Sequence, residues 1–334
     1  MLKGGVFGFG GVGQNMTRRI QENYCDNFKI SAIVDLDSQK IELAKKVFNI
    51  KAFDSLEKML AEELDFVLIT STNHVHAQAA KVCAAANIPF LIEKPIALTY
   101  SDAKEIVDAV AKNKVKTVIN YSMRYNPLYK KIKNMVDAGV IGDLMSICIS
   151  SNRGYGFYGS GKRHPAIINP TQSGGWTIHH MTHIIDYAIW LGGEIQEVYA
   201  HALTTAPSEL QTEELICSLL KFKNGIIGTA SDQIGTLRDH QLQVIGTKGA
   251  LAETEINSKH LIKLSLESRS YKNIELIDPS NEFREEDGLA HFLKILKTDE
   301  PSQMPVSSGL YVTKVCEAIK RSAKEKRIIY PDTI

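Results

Sequence analysis

The chain has no long apolar run and no excess of either charge. Among its 334 residues, Lys and Arg total 39 and Asp and Glu total 38, so the formal net charge is +1. A chain with this balance has no excess of basic residues, which binding to nucleic acid or to an anionic membrane would require. No apolar stretch approaches the ~20 residues that span a bilayer. The composition therefore predicts a protein that binds neither nucleic acid nor membrane.

Cysteine is scarce and scattered. The five cysteines are Cys25, Cys83, Cys148, Cys217 and Cys316, and no two of them form a CxxC motif. An odd, dispersed set favours reduced thiols over a disulfide framework. The chain begins directly on an apolar segment, so we expect no signal peptide. A cytoplasmic location follows as an expectation.

The first part of the chain alternates short apolar segments with amphipathic ones. Strands are expected at 3–7, 28–34, 65–70, 88–92 and 115–121, with helices at 13–23, 38–47, 76–86 and 101–112. Ser38 is a plausible cap for the second helix. This βαβ rhythm is typical of a parallel, doubly wound sheet. We therefore predict an α/β fold whose N-terminal Rossmann domain, residues 1–121, binds a dinucleotide.

After residue 121 the rhythm changes. A helix at 127–138 precedes eight segments of alternating character between 144 and 277, and helices are expected at 284–297 and 308–326, the last behind Ser307 or Ser308 as a cap. Asn224-Gly225 signals a type I′ hairpin. These patterns predict an α+β domain, residues 122–334, with a large, mainly antiparallel open sheet. We expect it to bind the substrate and to join copies of the chain.

A glycine-rich turn follows the first predicted strand. It reads Gly8-Phe9-Gly10-Gly11-Val12-Gly13 and opens a helix. The first glycine of such a motif makes the tight turn, the second lets the backbone approach a pyrophosphate, and the third allows close helix packing. Asp35 ends the second strand, where a carboxylate accepts hydrogen bonds from ribose hydroxyls and repels a 2′-phosphate. The motif thus predicts NAD rather than NADP, unless Asp35 only caps the next helix.

A lysine follows the apolar run 88–92. Glu93-Lys94-Pro95 is a common surface tripeptide when taken alone. At the carboxyl end of a nucleotide-binding sheet, where ligands bind, a lysine can reach a cofactor and a substrate together. A cation held there would bind a substrate hydroxyl and help to remove its proton.

These motifs together resemble the Gfo/Idh/MocA family of oxidoreductases over essentially the whole chain. The matching segments are Thr72-Asn73-x-x-His76 after the third predicted strand, Glu93-Lys94-Pro95, Arg124-Tyr125-Asn126-Pro127, Ser173-Gly174-Gly175 and His183-x-x-Asp186. The resemblance implies an NAD(P)-dependent enzyme that oxidises or reduces a secondary alcohol of a sugar, cyclitol or related polyol. It makes Lys94 and His183 the catalytic pair and implies a cis Lys94–Pro95 bond. It also implies cofactor contacts from Ser71, Thr72, Asn73, His76, Glu93 and Lys94.

The segment 176–186 carries three histidines. On an α-helix His179, His183 and Asp186 share one face, and His180 points about 100° away from His179. The family's commoner residue at position 179 is aspartate, so this chain departs from the pattern there. We expect His183 to be the acid/base and His179 or His180 to bind substrate hydroxyls, as does Arg124. An HxxxH metal site with Asp186 and a set of buried structural histidines remain alternatives, and we expect no metal.

Residues 152–172 lack any helical or strand period. Tyr155 and Tyr158 are placed to stack against a sugar face, since loops of this length in compact domains are usually functional or disordered. Basic residues of the segment, which would meet a phosphate or carboxylate, are Arg153, Lys162, Arg163 and His164. A solvated surface loop is the alternative.

The sequence therefore predicts an NAD-dependent dehydrogenase of a sugar, cyclitol or polyol. Two rivals share the fold, namely an NAD-dependent glycoside hydrolase that oxidises its sugar transiently and a non-catalytic NAD-binding regulator. An exposed face of the antiparallel sheet would favour a homodimer or homotetramer.

Overall fold

The computed structural model describes residues 1–153, 169–204, 212–234, 238–266, 274–280, 282 and 287–334. The chain folds into two compact units, Met1–Asn120 with Asp287–Leu310 and Tyr121–Glu286 with Tyr311–Ile334. Residues 287–310 thus belong to the first unit, although they follow most of the second in sequence. Among the described helices, none combines the length and apolarity needed to cross a bilayer.

A six-stranded parallel sheet forms the first unit. Its strands are β1 (Leu2–Phe7), β2 (Phe28–Val34), β3 (Lys51–Phe53), β4 (Phe66–Ile69), β5 (Phe90–Ile92) and β6 (Thr117–Ile119). They lie in the order β3-β2-β1-β4-β5-β6 and every pair is parallel. β4, β5 and β6 are buried along their whole length, as expected of strands covered on both faces. The predicted Rossmann sheet is confirmed.

Five helices connect these strands. They are α1 (Gly11–Asn23), α2 (Ser38–Lys46), α3 (Leu56–Leu60), α4 (His76–Ala85) and α5 (Tyr100–Asn113). The cap of α2 is Asp37, whose side chain accepts from the Gln39 N–H, so the choice of Ser38 was wrong. No pattern in the sequence indicated β3 and α3, because three and five residues are too few to show a period.

An eight-stranded open sheet dominates the second unit. Its strands are β7 (Leu144–Arg153), β8 (Ile195–Leu203), β9 (Leu215–Phe222), β10 (Ile227–Gln233), β11 (Arg238–Gly246), β12 (Gly249–Ile256), β13 (Lys259–Leu266) and β14 (Ile274–Ile277). The order is β14-β13-β12-β11-β7-β10-β9-β8, and among these described strands only the β7–β10 pair is parallel. Burial alternates along β9 and β10, so one face is covered and the other is open. The predicted antiparallel sheet is confirmed.

After residue 121 the structure has helices near 127, 176, 284 and 308, where the sequence expected them, and a short one at 170–173 that no pattern indicated. They are α6 (Pro127–Asp137), α7 (Pro170–Ser173), a π-helical turn (Thr177–Met181), α8 (Thr182–Gly192), α9 (Gly288–Lys297) and α10 (Val306–Glu325). α9 begins later than expected because Asp287 caps it by accepting from the Ala290 N–H. α10 begins at Val306, so Ser307 and Ser308 lie inside the helix and do not cap it.

The predicted hairpin at Asn224-Gly225 forms, but its turn type is different. Gly225 has φ 91° and Asn224 is not among the residues with positive φ, whereas a type I′ turn needs both. The Phe222 N–H donates to Ile226 O at 2.9 Å, closing a three-residue loop. A loop of this length commonly places glycine in the left-handed region next to β10.

Candidate active site

The glycine-rich turn of the first unit leaves its backbone accessible at Gly10 and Gly11. Gly8 has φ +94°, and a Cβ there would lie 2.3 Å from Ser71 Cα. A Cβ on Gly13 would lie 2.5 Å from the Gly8 carbonyl oxygen. A Cβ on Gly10, in contrast, would have no atom of the described residues within 4 Å apart from its neighbours in the chain. α1 starts at Gly11 with neither a side-chain cap nor an acid in its first turn. Its first N–H groups therefore suit an anion such as a pyrophosphate.

Asp35 is oriented by the backbone. Its Oδ2 accepts the Phe9 N–H at 2.7 Å and its Oδ1 accepts the Asp37 N–H at 2.9 Å. Because a carboxylate offers about four acceptor positions, two remain for ribose hydroxyls. Lys40 Nζ lies 3.6 Å from Asp35 Oδ1. Since Asp37 caps α2, the alternative of Asp35 as the helix cap is excluded.

His76 joins the two loops beside the glycine-rich turn. It begins α4, after the 3-10 turn Asn73–Val75 that Thr72 precedes. Its Nδ1 lies 2.7 Å from Pro95 O and its Nε2 lies 3.0 Å from Ser71 O. The ring is fully buried, and burial lowers the pKa of His76 despite both carbonyls. The side chain therefore connects the two loops, and its expected contact with the cofactor stays a prediction.

The Glu-Lys-Pro turn stands at the carboxyl end of β5. Its Lys94–Pro95 peptide bond is cis, as the resemblance implied. The Glu93 N–H donates to Ile69 O at 2.9 Å, and Glu93 Oε1 accepts from Asn120 Nδ2 at 2.5 Å. Desolvation raises the pKa of the Glu93 carboxyl above its ordinary value. Glu93 thus anchors the turn, and the turn lies on the sheet edge where open α/β folds bind ligands.

A π-helical turn alters the geometry of the histidine segment. Thr177–Met181 is π-helical, and its hydrogen bonds span five residues instead of four. The α-helical spacing that put His179 on one face with His183 therefore does not hold. The His180 and His183 ring centroids lie 5.5 Å apart. The His179 ring packs instead beside Trp176, with 5.9 Å between their ring centroids.

His180 is fixed on three sides. Its Nδ1 lies 2.5 Å from Asp232 Oδ2, and its Nε2 faces the Arg153 Nε–H. The Trp176 ring stacks on it at 4.7 Å with an interplanar angle of 16°. A neutral imidazole that donates Nδ1–H to Asp232 leaves Nε2 as an acceptor for Arg153. His180 therefore holds Arg153 in place, and its own nitrogens are already engaged.

His183 lies near the start of α8, with 9% of its surface exposed. The Tyr121 ring meets it edge-on at 6.4 Å. The Tyr121 hydroxyl is 3.2 Å from Thr182 Oγ1, and burial holds the pKa of Tyr121 well above its usual range. Tyr121 is therefore a packing neighbour of His183 that stays neutral.

Arg124 is committed to a buried carboxylate. Its Nε and Nη2 lie 2.9 and 2.7 Å from the two oxygens of Asp186, which is fully buried. Burial raises the pKa of Asp186, and Arg124 opposes that shift. The guanidinium also lies 5.1 Å from the centroid of the Trp190 ring. Arg124, expected to bind substrate, thus positions α8, and Asp186 is paired with Arg124 instead of with the histidines of the HxxxH alternative.

A cavity of about 730 Å³ lies within the second unit. Its described lining includes His180, His183 and Arg153, together with Ser122 and Asn152. His179 is not among the described residues that line it. Polar side chains at fixed positions around a concave space are typical of a small-molecule site.

Sequence reasoning missed the carboxylates that organise this cavity. Asp232 is fully buried on β10, in phase with the buried Ala230. Glu253 follows Leu251 on β12 in the same way, and His240 precedes the buried Leu242 on β11. An ionisable residue in phase with inward apolar ones is the signal that would have found them, because such groups are buried only when paired.

The segment that carries Tyr155 and Tyr158 lies outside the described residues, as do Lys162, Arg163 and His164. Their expected contacts with substrate stay predictions. Arg153 is described and lies at the end of β7.

Two family models match the chain. The model described as "Oxidoreductase family, NAD-binding Rossmann fold" matches residues 2–121, and the GFO/IDH/MocA C-terminal domain matches residues 129–252. The chain belongs to the Gfo/Idh/MocA family of oxidoreductases. The predicted NAD-binding Rossmann domain and the oxidoreductase class are thereby confirmed.

Individual relatives agree with this assignment. The chain is 23% identical to the myo-inositol 2-dehydrogenase of Thermotoga maritima over 97% of each protein. It is 29% identical to an oxidoreductase of Bacillus subtilis named YrbE, over 74% of this chain and 72% of that protein. A levoglucosan dehydrogenase solved with NADH and L-sorbose has the same fold, with a TM-score of 0.86, 17% identity and coverage of 99% and 98%.

We expect Gly10→Ala to weaken NADH binding by about tenfold or more while leaving the thermal unfolding midpoint unchanged. Apart from its neighbours in the chain, the added methyl meets no atom of the described residues within 4 Å, so we expect it to occupy the space that a pyrophosphate needs. Fluorescence titration with NADH and a melting curve measure the two quantities. Gly8→Ala is the matched contrast, because its methyl meets the Ser71 backbone and must lower the midpoint. Equal melting of the two variants would contradict this geometry.

We expect Arg124→Ala to destabilise the second unit by about 3–5 kcal/mol, because it leaves the buried Asp186 carboxylate unpaired. The double variant Arg124→Met with Asp186→Leu should regain most of this loss. The two tryptophans of the chain, Trp176 and Trp190, both belong to the second unit, so their fluorescence in urea reports its unfolding. A double variant as unstable as the single one would show that the pair matters for more than charge compensation.

Proposed function

We propose that the chain is an NAD-dependent dehydrogenase that acts on a secondary alcohol of a sugar, cyclitol or related polyol. The observation that carries the proposal is the His183–His180 pair in a polar cavity, with His180 fixed by Asp232 and Arg153. The relatives named as dehydrogenases of inositol and levoglucosan support the substrate class. In this proposal residues 1–121 bind the dinucleotide and residues 122–334 bind the substrate.

The cofactor side of the reaction depends on the glycine-rich turn. We assign the N–H groups at the start of α1 to the pyrophosphate and Asp35 to the adenosine ribose. Ser71, Thr72 and Asn73 would complete this side. When bound, NAD supplies the nicotinamide carbon that accepts or returns a hydride.

The substrate side depends on proton transfer. We assign His183 as the group that takes or returns the hydroxyl proton, since imidazole titrates near neutral pH. We assign Lys94 to polarise the reacting oxygen, as the family resemblance implies. Arg153 retains further N–H donors besides the one that faces His180, and these suit substrate hydroxyls. His179, at the position where the family commonly has aspartate, is a further candidate for substrate binding.

Lys94→Ala and His183→Ala should each retain NADH binding and lose about 10²–10⁴ in kcat. Turnover is followed as NADH absorbance with a panel of inositols, hexoses and hexitols. Lys112→Ala and His201→Ala change exposed residues of the same types and should keep wild-type rates. Near-normal kcat in either test variant would remove that residue from the mechanism. No turnover with any compound in the wild-type protein would instead favour a non-catalytic NAD-binding regulator.

We also propose that the open face of the second sheet joins copies of the chain. Leu219 on β9 and Ile227 on β10 are 50% and 54% exposed on neighbouring strands. Exposed apolar side chains grouped in this way are typical of a protein interface.

The five cysteines, all of which the structure describes, form no disulfide, which favours a reducing compartment for the assembly.

Light scattering after size exclusion should give a dimer or tetramer for the wild-type protein. The double substitution Leu219→Lys with Ile227→Lys should shift it towards the monomer, because two buried charges would oppose association. Unchanged near-ultraviolet dichroism controls for folding. A wild-type monomer at micromolar concentration would contradict the proposal.

A further inference from the structure

A second polar cluster lines the same cavity and takes no part in the mechanism above. Its members are Tyr129, His240, Glu253 and His260, contributed by α6, β11, β12 and β13. All four belong to the second unit. None of them was singled out by a sequence motif, and each comes from a different element.

Glu253 organises the cluster. Its Oε2 accepts from His240 Nδ1 at 2.7 Å and its Oε1 lies 3.2 Å from His260 Nδ1. The Tyr129 hydroxyl lies 3.4 Å from Oε2 and 3.2 Å from His240 Nδ1. The Glu253 side chain is only 7% exposed, whereas those of His240 and His260 are 24% and 62% exposed. One buried carboxylate thus holds His240 by a hydrogen bond and lies within ion-pair distance of His260.

This arrangement determines what the imidazoles can offer a ligand. With both Nδ1 atoms turned to Glu253, the Nε2 atoms are the ones left to meet a molecule in the cavity. An imidazole Nε2 accepts a hydrogen bond when neutral and donates one when protonated. A hydroxyl group can hydrogen-bond to the neutral or the protonated imidazole, since it both donates and accepts. Side chains already held in position lose little entropy on binding.

The charges of the described lining residues favour a neutral ligand over an anionic one. These residues carry three carboxylates, Asp239, Glu253 and Glu255, against one guanidinium, Arg153. Beside them, a phosphate or carboxylate would meet net repulsion at neutral pH, whereas a neutral, hydroxyl-rich group would not.

The size of the cavity exceeds one ring. At about 730 Å³ the cavity falls in the range of about 300–1,000 Å³ found for sites that take drug-sized ligands, which are larger than a single hexose or inositol. A substrate of one ring would therefore leave much of the lining uncovered.

We propose that Tyr129, His240, Glu253 and His260 form a second carbohydrate subsite, which binds an additional neutral ring, so that the substrate is a glycoside of two rings. The inference rests on the proposed function for the identity of the reacting ring. The subsite itself is a binding claim, and binding tests it independently of turnover.

The test compares single rings with two-ring compounds that contain them. Glucose, galactose and myo-inositol are matched with maltose, cellobiose, lactose and galactinol, and affinities are measured by calorimetry on the NADH-loaded protein. At least one two-ring compound should bind about tenfold more tightly than its single-ring component, as two or three added hydrogen bonds allow. The same panel is assayed for turnover.

Substitutions in the cluster then test whether these residues cause the tighter binding of two-ring compounds. Glu253→Gln removes the charge beside both imidazoles, and His260→Ala removes an exposed side chain with little risk to folding. Each should reduce the two-ring advantage to within about threefold of the single ring. Glu275→Gln is the matched control, because Glu275 is an exposed glutamate on β14 of the same sheet, pairs with Leu264 and is not among the described residues that line the cavity. It should retain the advantage.

The outcomes separate the two claims. A two-ring advantage that Glu253→Gln and His260→Ala abolish supports the subsite, even if no compound is turned over and the proposed function fails. Turnover of single rings without any two-ring advantage overturns the subsite and leaves the proposed function intact. An advantage that persists in both variants, or that Glu275→Gln abolishes equally, also overturns it.

Discussion

A carboxylate removed from water requires hydrogen-bond donors, and this requirement orients the polar side chains of the second unit. Asp232 has no exposed surface, and His180 donates to it. Asp186 has none either, and Arg124 supplies its donors. Each buried acid thereby fixes a side chain near the histidine segment. The orientation of those side chains is a consequence of satisfying buried charge.

In the first unit, backbone groups form the candidate site, whereas side chains form it in the second unit. The ligand-binding edge of the first unit is made of backbone, namely the turn at Gly8 and the N–H groups that begin α1. Even Asp35 is held by main-chain donors. Backbone sites are local in sequence, because a few consecutive residues suffice to make them. A site made from side chains of several strands is not local, and its members are dispersed along the chain.

This difference explains what the sequence could predict. The parallel sheet, the tight glycine-rich turn and the antiparallel second sheet all follow from local patterns, and the structure has them. The π-helical turn at Thr177–Met181 does not follow, because its residues have no composition that separates it from an α-helix. Asp37 rather than Ser38 caps α2 because both residue types cap well and only backbone geometry selects between them. The partners of His180 come from β7 and β10, and no spacing in the sequence joins them.

The parallel pairing of β7 and β10 has a consequence for modularity. Ser151 pairs with Asp232, and the two strands run in parallel, so their carboxyl ends lie at the same end of the sheet. Arg153 and Asp232 both lie at that end. The histidine segment lies in the connection between these two strands. A fragment that stopped before β10 would keep all three histidines but lose the carboxylate that orients one of them. The histidine segment therefore cannot be transplanted as a peptide motif, and a graft onto another scaffold would have to carry two parallel strands and everything that connects them.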